Sequence, residues 1–205
     1  MRYARISDQT IRRLPKYLRA LLFASAQGQD EISSKDLAEQ IGVHSWQVRK
    51  DFSFFGEFGT PGVGYNVLAL VKEIKKILRL GEVRKAALIG VGNLGSAVLA
   101  FPGFSQYNLQ IAAAFDIDPS KVGQRIMDVK VENVSQLPDL ARRGIQLAIL
   151  TVPGGDVAQG IVDQLVEVGI KGILNFSACH LVVPAKVRVT NIDIAMDLAS
   201  LPYYL

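Results

Sequence analysis

From Thr10 to Gln27 the apolar residues Ile11, Leu14, Leu18, Leu21 and Leu22 recur at helical spacing, which predicts an amphipathic helix. Proline is tolerated in a first turn, so the regular helix is expected from about Leu14, after Pro15 has been accommodated, with Gly28 ending it. Ser33-Ser34-Lys35-Asp36 then offers a hydroxyl cap with an acid close behind, followed by Leu37, Ala38 and Ile41 on one face and Gly42 as a stop. After the tight connection Gly42-Val43-His44, Ser45 is positioned to cap a third helix, "SWQVRKDFSFFG", running to Gly56. On it Trp46 and Phe54, with Val48 or Phe55, are expected to pack inward, leaving Ser45, Gln47, Arg49, Lys50 and Ser53 on the outer faces.

A short helix, a glycine turn and a second helix bearing Gln47, Arg49 and Lys50 form the layout of a helix-turn-helix, whose second helix enters the DNA major groove. The glycine-crowded "GEFGTPGVGYNV" that follows reads as a short hairpin around Thr60, Pro61 and Gly62, with Phe58 and Tyr65 as flanking strand formers. A hairpin directly after a recognition helix is a wing. Asn66 is placed to cap a further amphipathic helix, "VLALVKEIKKILRL".

After Gly81 the period changes. Buried-strand runs at Ala86 to Gly90, Leu109 to Phe115, Leu147 to Val152 and Ile170 to Phe176 alternate with helical stretches around Ser96, Leu140 and Val157 to Val168. That alternation implies right-handed crossovers and a mostly parallel sheet. Two domains are expected, residues 1–80 and 81–205.

Charge sharpens this division. Residues 1–80 hold 13 Lys and Arg against 8 Asp and Glu, while the remainder holds 10 against 11, within a chain of 205 residues and net charge +4. A basic first part suits a polyanionic partner. No apolar run approaches the roughly 20 residues needed to span a bilayer, and Met1 to Arg5 leads into no apolar signal core, so a soluble cytoplasmic protein is expected. Cys179 is the sole cysteine, and His44 and His180 are the only histidines, so no internal disulfide can form and no metal site is expected. Cys179 reads as a small apolar residue.

The chemistry centres on Gly90-Val91-Gly92-Asn93-Leu94-Gly95, a G-x-G-x-x-G run between a strand and a helix. Its glycines would allow a tight turn, close approach of backbone to a pyrophosphate and packing of helix on strand. The next strand ends in "AAAFDID", placing Asp116 where a carboxylate can accept both ribose hydroxyls of an adenosine and repel a 2′-phosphate, which favours NAD over NADP. Two other strand ends, at Val152-Pro153 and Asn175-Phe176, reach the carboxyl edge where ligands of such sheets bind, though either could be an ordinary connection. A proton donor for hydride transfer is hard to find, His180 being the best candidate.

A winged helix joined to an NAD-binding Rossmann domain in a chain of this length resembles the Rex family of redox-sensing transcriptional repressors. The segments "RRLPKYLRAL", "QVRKDFSFFGEFGTPGVGY", "LIGVGNLGSAVLAFPGF", "FDIDPSKVG" and "GILNF" are similar to that family's characteristic stretches. The resemblance implies a homodimer that holds a palindromic operator when NAD+ is high and leaves it when NADH takes the same site. It places Ser45, Gln47, Arg49 and Lys50 on the recognition helix and Thr60, Pro61, Gly62 and Tyr65 in a DNA-contacting wing. It assigns Gly90 to Gly95 and Asp116 to the adenosine half of the cofactor, and Val152, Pro153, Asn175 and Phe176 to the nicotinamide half. It also implies a polar switch at Arg19, Phe101 and Asp193, in which Phe101 stands where relatives can carry tyrosine, and a short C-terminal exchange helix in "IAMDLASLPYYL". The alternatives are an NAD-dependent oxidoreductase with an N-terminal oligomerisation domain, and a DNA-binding protein whose Rossmann domain is only a scaffold.

Overall fold

The computed structural model describes residues 6–60 and 62–205. The residues read as a non-signal N-terminus, Met1 to Arg5, and Pro61 of the expected wing lie outside the described residues. The chain divides into two compact units, Met1–Glu82 and Val83–Leu205.

The first unit is built on α1, Asp8–Ala26, whose Ser7 side chain caps the first turn by accepting from the Thr10 amide. The helix starts a full turn or more before the expected Leu14 because Pro15 is carried on its exposed side, where the Ile11 carbonyl it cannot satisfy can face water. Leu14, Tyr17, Leu18 and Leu21 form its buried stripe. After the two-residue strand β1, Glu31–Ile32, comes α2, Ser34–Ile41, opened by the expected box in which Ser33 and Asp36 cap each other's backbone amides and closed by Gly42 at φ 70°.

Helix α3, Ser45–Ser53, differs from expectation at both ends and in phase. His44, not Ser45, is the extended capping residue, and its side chain makes no cap bond. The buried residues are Val48, Asp51 and Phe52, whereas Trp46 is 53% exposed and Phe54 only half-buried. The phase is set by Asp51, which is fully buried and draws its donors from α1. Its carboxylate accepts from Arg13 Nε at 2.6 Å and Nη2 at 2.8 Å, the Tyr17 hydroxyl at 2.9 Å and the Thr10 hydroxyl at 3.1 Å. Gln47 Nε2 adds a bond of 2.9 Å from within α3. Turning Trp46 inward would rotate Asp51 away from these donors and into water. Strands β2, Gly59–Thr60, and β3, Gly64–Asn66, pair as the expected hairpin, and β1 joins on the far side of β3. Asn66 caps α4, Val67–Ile77, which packs against α1.

The second unit is a seven-stranded sheet. Strands β4 (Arg84–Ile89), β5 (Leu109–Asp116), β6 (Arg125–Ile126), β7 (Val129–Asn133), β8 (Leu147–Leu150), β9 (Gly172–Asn175) and β10 (Arg188–Asn191) lie in the order β10-β9-β8-β4-β5-β7-β6. All neighbouring pairs are parallel except the antiparallel edge pair β6 and β7. The hydrophobic pattern found the central strands; β6, β7 and β10 escaped it because each is short, polar and near an edge. Crossovers run through α5 (Asn93–Ala100), α6 (Asp139–Arg142) and α7 (Asp156–Glu167). One sheet face, with Ala87, Ile89, Phe115 and Leu150, packs with Leu140 of α6 and Ala158, Val162 and Leu165 of α7. The other, with Leu88, Ala114, Val131 and Ile149, meets Val98 and Leu99 of α5. The chain ends in α8, Ile194–Ala199, and a short 3-10 turn, Leu201–Tyr204.

Burial alone would push the Asp51 carboxyl up, but the bonds from Arg13, Tyr17, Gln47 and Thr10 outweigh it and hold its pKa below the usual carboxylate value. A folded pKa below the unfolded one adds stability that is complete above the unfolded value of about 4 and is lost as pH falls through the folded one. Asp51→Asn is therefore expected to destabilise the chain by about 3 kcal/mol at neutral pH. The deficit should shrink as pH falls below about 4, where the unfolded carboxyl takes up a proton that the native one accepts only at still lower pH. Thermal unfolding from pH 2.5 to pH 7 checks this; a deficit independent of pH contradicts it.

Candidate functional site

Two surfaces have the chemistry to act, one in each unit. In the first, α3 presents Arg49 and Lys50, both exposed, and Thr60 and Gly62 lie exposed in the hairpin. Arg49 Nη1 donates to Ser34 Oγ at 3.0 Å, which draws the guanidinium to the N-terminus of α2. Ser33, Ser34, Arg49, Ser53, Glu57 and Thr60 are among the residues that line one open cavity of about 740 Å³. An anion there would meet a helix N-terminus, hydroxyls and a guanidinium, with the Glu57 carboxylate on the opposing side of the charge balance.

Three of the residues expected to face DNA are placed otherwise. Gln47 is half-buried with its amide nitrogen on Asp51, because it lies on the flank of α3 that adjoins α1. Ser45 is half-buried in the first turn of α3. Tyr65 is only 8% exposed: its ring stands edge-on to Phe52 at 5.2 Å and lies so near Gly59 that a Cβ there would come within 2.8 Å of it. Tyr65 thus anchors the hairpin to the core. Trp46 and Ser34 are the residues that the sequence reading did not place on this surface, and only the phase fixed by Asp51 reveals the former.

In the second unit the order of strands reverses at β4, the first strand in sequence, which has β5 on one side and β8 on the other. Ligands of open parallel sheets bind at the carboxyl ends of the strands beside such a point. Here β4 runs into Gly90 to Gly95, and the three glycines have different reasons to be glycine. Gly90 has φ 94° and a Cβ would stand 2.9 Å from the Thr151 carbonyl; a Cβ on Gly95 would stand 2.0 Å from the Gly90 carbonyl. Both are required by the fold itself. Gly92 has nothing within 4 Å of its missing Cβ and heads α5 as a cap without a side-chain bond. No side chain caps the first amides of α5, and the space beside Gly92 is open, an arrangement suited to receive a phosphate.

Asp116 is present at the end of β5 but is only 7% exposed, and its oxygens are engaged. It accepts from the Val91 amide at 2.7 Å and the Asp118 amide at 2.9 Å, with Lys121 Nζ at 3.4 Å. Burial pushes its carboxyl up, but the two backbone bonds and Lys121 outweigh this and hold it below the usual range. Its first role in this structure is to pin the glycine loop against β5. Across the switch point, the Thr151 hydroxyl donates to the Gly90 carbonyl at 2.6 Å, tying β8 to the same loop.

Of the other strand ends, Val152 is half-buried and Pro153 exposed. Asn175 is 1% exposed and its amide is consumed internally, donating to the Cys179 carbonyl and to Asn191 and accepting from the Ser177 amide. Phe176 is half-buried. Ser177, the next residue of that strand end, is buried with its hydroxyl lacking a hydrogen-bond partner. Phe101 is 58% exposed at the end of α5, edge-on to Phe104. Asp193 caps α8 through the Met196 amide, and Arg19 is exposed on α1. His180 is exposed and Cys179 half-buried. No group of three or more metal-binding side chains occurs among the described residues, and no helix among them is long and apolar enough to cross a membrane.

Comparison with known proteins finds a family match in each unit. Residues 82–179 match the family described as "CoA binding domain", and residues 5–53 match "Putative DNA-binding protein N-terminus". The chain is 43% identical over 201 residues to the redox-sensing transcriptional repressor Rex of Halalkalibacterium halodurans, covering 98% of this chain and 95% of that protein. The Rex of Anoxybacillus flavithermus is 45% identical over the same length, covering 98% and 94%. Among solved structures, the repressor RSP in complex with NAD+ and operator DNA superposes with a TM-score of 0.89 at 38% identity, covering 97% of this chain and 92% of that one. RSP with NADH gives 0.87 at 37% identity, covering 98% and 94%. With its DNA-reading layout, its open glycine loop and relatives at this identity over nearly its whole length, the chain belongs to the Rex family of redox-sensing transcriptional repressors.

Proposed function

We propose that this chain represses transcription by binding a palindromic operator as a homodimer, and that NADH binding at the glycine loop releases it, so that promoter occupancy follows the NADH/NAD+ ratio in the cytoplasm. The observation that carries this is Gly92: of three loop glycines it alone has open space in place of its side chain, at an uncapped helix start. The fold does not need a glycine there, but a pyrophosphate does. The residues present fit such a cofactor. The amides of Asn93, Leu94 and Gly95 would hold its phosphates, and Asp116 would meet the adenosine ribose only by sharing oxygens already bonded to Val91 and Asp118. Val152, Pro153 and Phe176 would flank the nicotinamide ring, and the unpartnered Ser177 hydroxyl would gain a polar partner there. Asn175 would act by shaping this edge through its internal bonds.

The bound nucleotide supplies a ring whose charge and shape differ between its oxidised and reduced forms. A sensor needs that difference to be felt as unequal free energy in two states of the protein, and needs no proton donor. Arg19, Phe101 and Asp193 are the proposed relay, with Phe101 contributing packing against Phe104 where a tyrosine would add a hydroxyl. On the DNA side, Arg49 and Lys50 reach the major groove and Thr60 and Gly62 of the wing lie against the minor groove, while Gln47 and Tyr65 hold the reader in shape.

Titration of a fluorescent palindromic duplex with the protein, followed by NADH and NAD+ separately, tests the reading: release by NADH alone is expected, and indifference to both nucleotides contradicts it. Gly92→Asp should abolish the NADH response while leaving thermal unfolding unchanged. Gly95→Ala should also lower stability, by about 1–3 kcal/mol, because its methyl overlaps the Gly90 carbonyl. Equal unfolding profiles for the two variants would contradict the division of roles. Arg49→Ala should weaken duplex binding about tenfold or more without altering NADH affinity; unchanged retention of DNA would remove Arg49 from the reader.

A further inference from the structure

The outward face of α3 has one member to which no role has been given. Trp46, Arg49, Lys50 and Ser53 fall at i, i+3, i+4 and i+7, so they share one face of the helix, and all are exposed. Val48 and Phe52 occupy the opposite, buried side, and Gln47 is drawn to the flank by Asp51. Trp46 opens the outward stripe at 53% exposure, its ring near-parallel to that of His44 with 6.3 Å between centroids. An indole left in water beside two cations calls for a partner that is apolar at one point and negative around it. The major groove of duplex DNA is such a surface: the C5-methyl of thymine projects into it, and phosphates line both rims.

We infer that Trp46 is a base-reading residue, its indole packing on a thymine C5-methyl in each half-site while Arg49 and Lys50 engage the neighbouring phosphates or base edges. The inference rests on the proposed entry of α3 into the major groove. It adds to the reader a hydrophobic contact that selects thymine over cytosine, which presents no methyl there. Its cost to folding is small, because the side chain is already solvated in the free protein.

Trp46 is the only tryptophan of the chain, so its emission reports on this contact alone. The full-length protein would be given a fluorescein-labelled duplex that it selects from a randomised palindromic library, with label anisotropy and tryptophan emission followed together. Emission should be quenched in step with the rise in anisotropy. Replacing the contacted thymine by uracil, which removes only the methyl, should weaken binding about fourfold per half-site. Trp46→Ala, with folding checked by circular dichroism, should bind more weakly and be indifferent to that replacement, and Trp46→Phe should recover part of the loss. Duplex binding with unchanged emission overturns the inference, as does a Trp46→Ala protein that loses as much as the native chain at every thymine-to-uracil position. A protein that selects no duplex at all overturns the proposed function as well, and the anisotropy trace tells the two failures apart.

Discussion

A carboxylate withdrawn from water must be met by donors, and in both units of this chain that requirement places the element that carries function. In the first, Asp51 on α3 is fully buried and takes its donors from Thr10, Arg13 and Tyr17 on α1. The position of α3 along and around its axis follows from that, because a small rotation would leave the charge unpaired. In the second, Asp116 at the end of β5 takes the Val91 amide and so fixes the curvature of the glycine loop. The two aspartates are alike in kind: each is a short, charged group at the end or middle of one element, satisfied by another element distant in sequence.

This has consequences for how a nucleotide could control a DNA reader. Since Asp51 ties α1 to α3, the reader answers as one body; in the proposed homodimer a ligand bound in the second unit would act on the operator through the placing of two readers. Half-sites lie about one helical turn apart for dimers of this kind, so a modest displacement is enough to spoil simultaneous fit. The glycine loop meets the complementary need. Gly90 and Gly95 are held by Thr151 and by each other, which leaves Gly92 and the start of α5 open for the proposed nucleotide.

Much of this was legible in the sequence. The spacing of Gly90, Gly92 and Gly95 after an apolar strand located the strand-to-helix turn that the structure keeps, and Ser33 with Asp36 and Asn66 marked helix starts that it also keeps. What escaped is what depends on distant partners. On a nine-residue helix with apolar residues at 46, 48 and 52, and two more just past its end at 54 and 55, several faces look equally buried, and the deciding residue was the polar Asp51, whose donors lie largely on another helix. Trp46, expected inward, is therefore exposed, and Gln47, expected on the outer face, sits half-buried on the flank with its amide on Asp51. Tyr65 looked like a wing residue because its burial against Phe52 is a tertiary fact. Strands β7 and β10 carry too few apolar residues to register as strands until their neighbours in the sheet are known.

The central claim is that one chain couples a nucleotide site to a DNA site, and coupling between two binding equilibria is reciprocal. The direct measurement is the NADH dissociation constant of the protein alone and in the presence of saturating operator duplex, by calorimetry under one buffer and salt condition. The account predicts that the duplex weakens NADH binding by the same factor by which NADH weakens duplex binding, and leaves NAD+ binding unweakened. An NADH affinity that is identical with and without the duplex would contradict it.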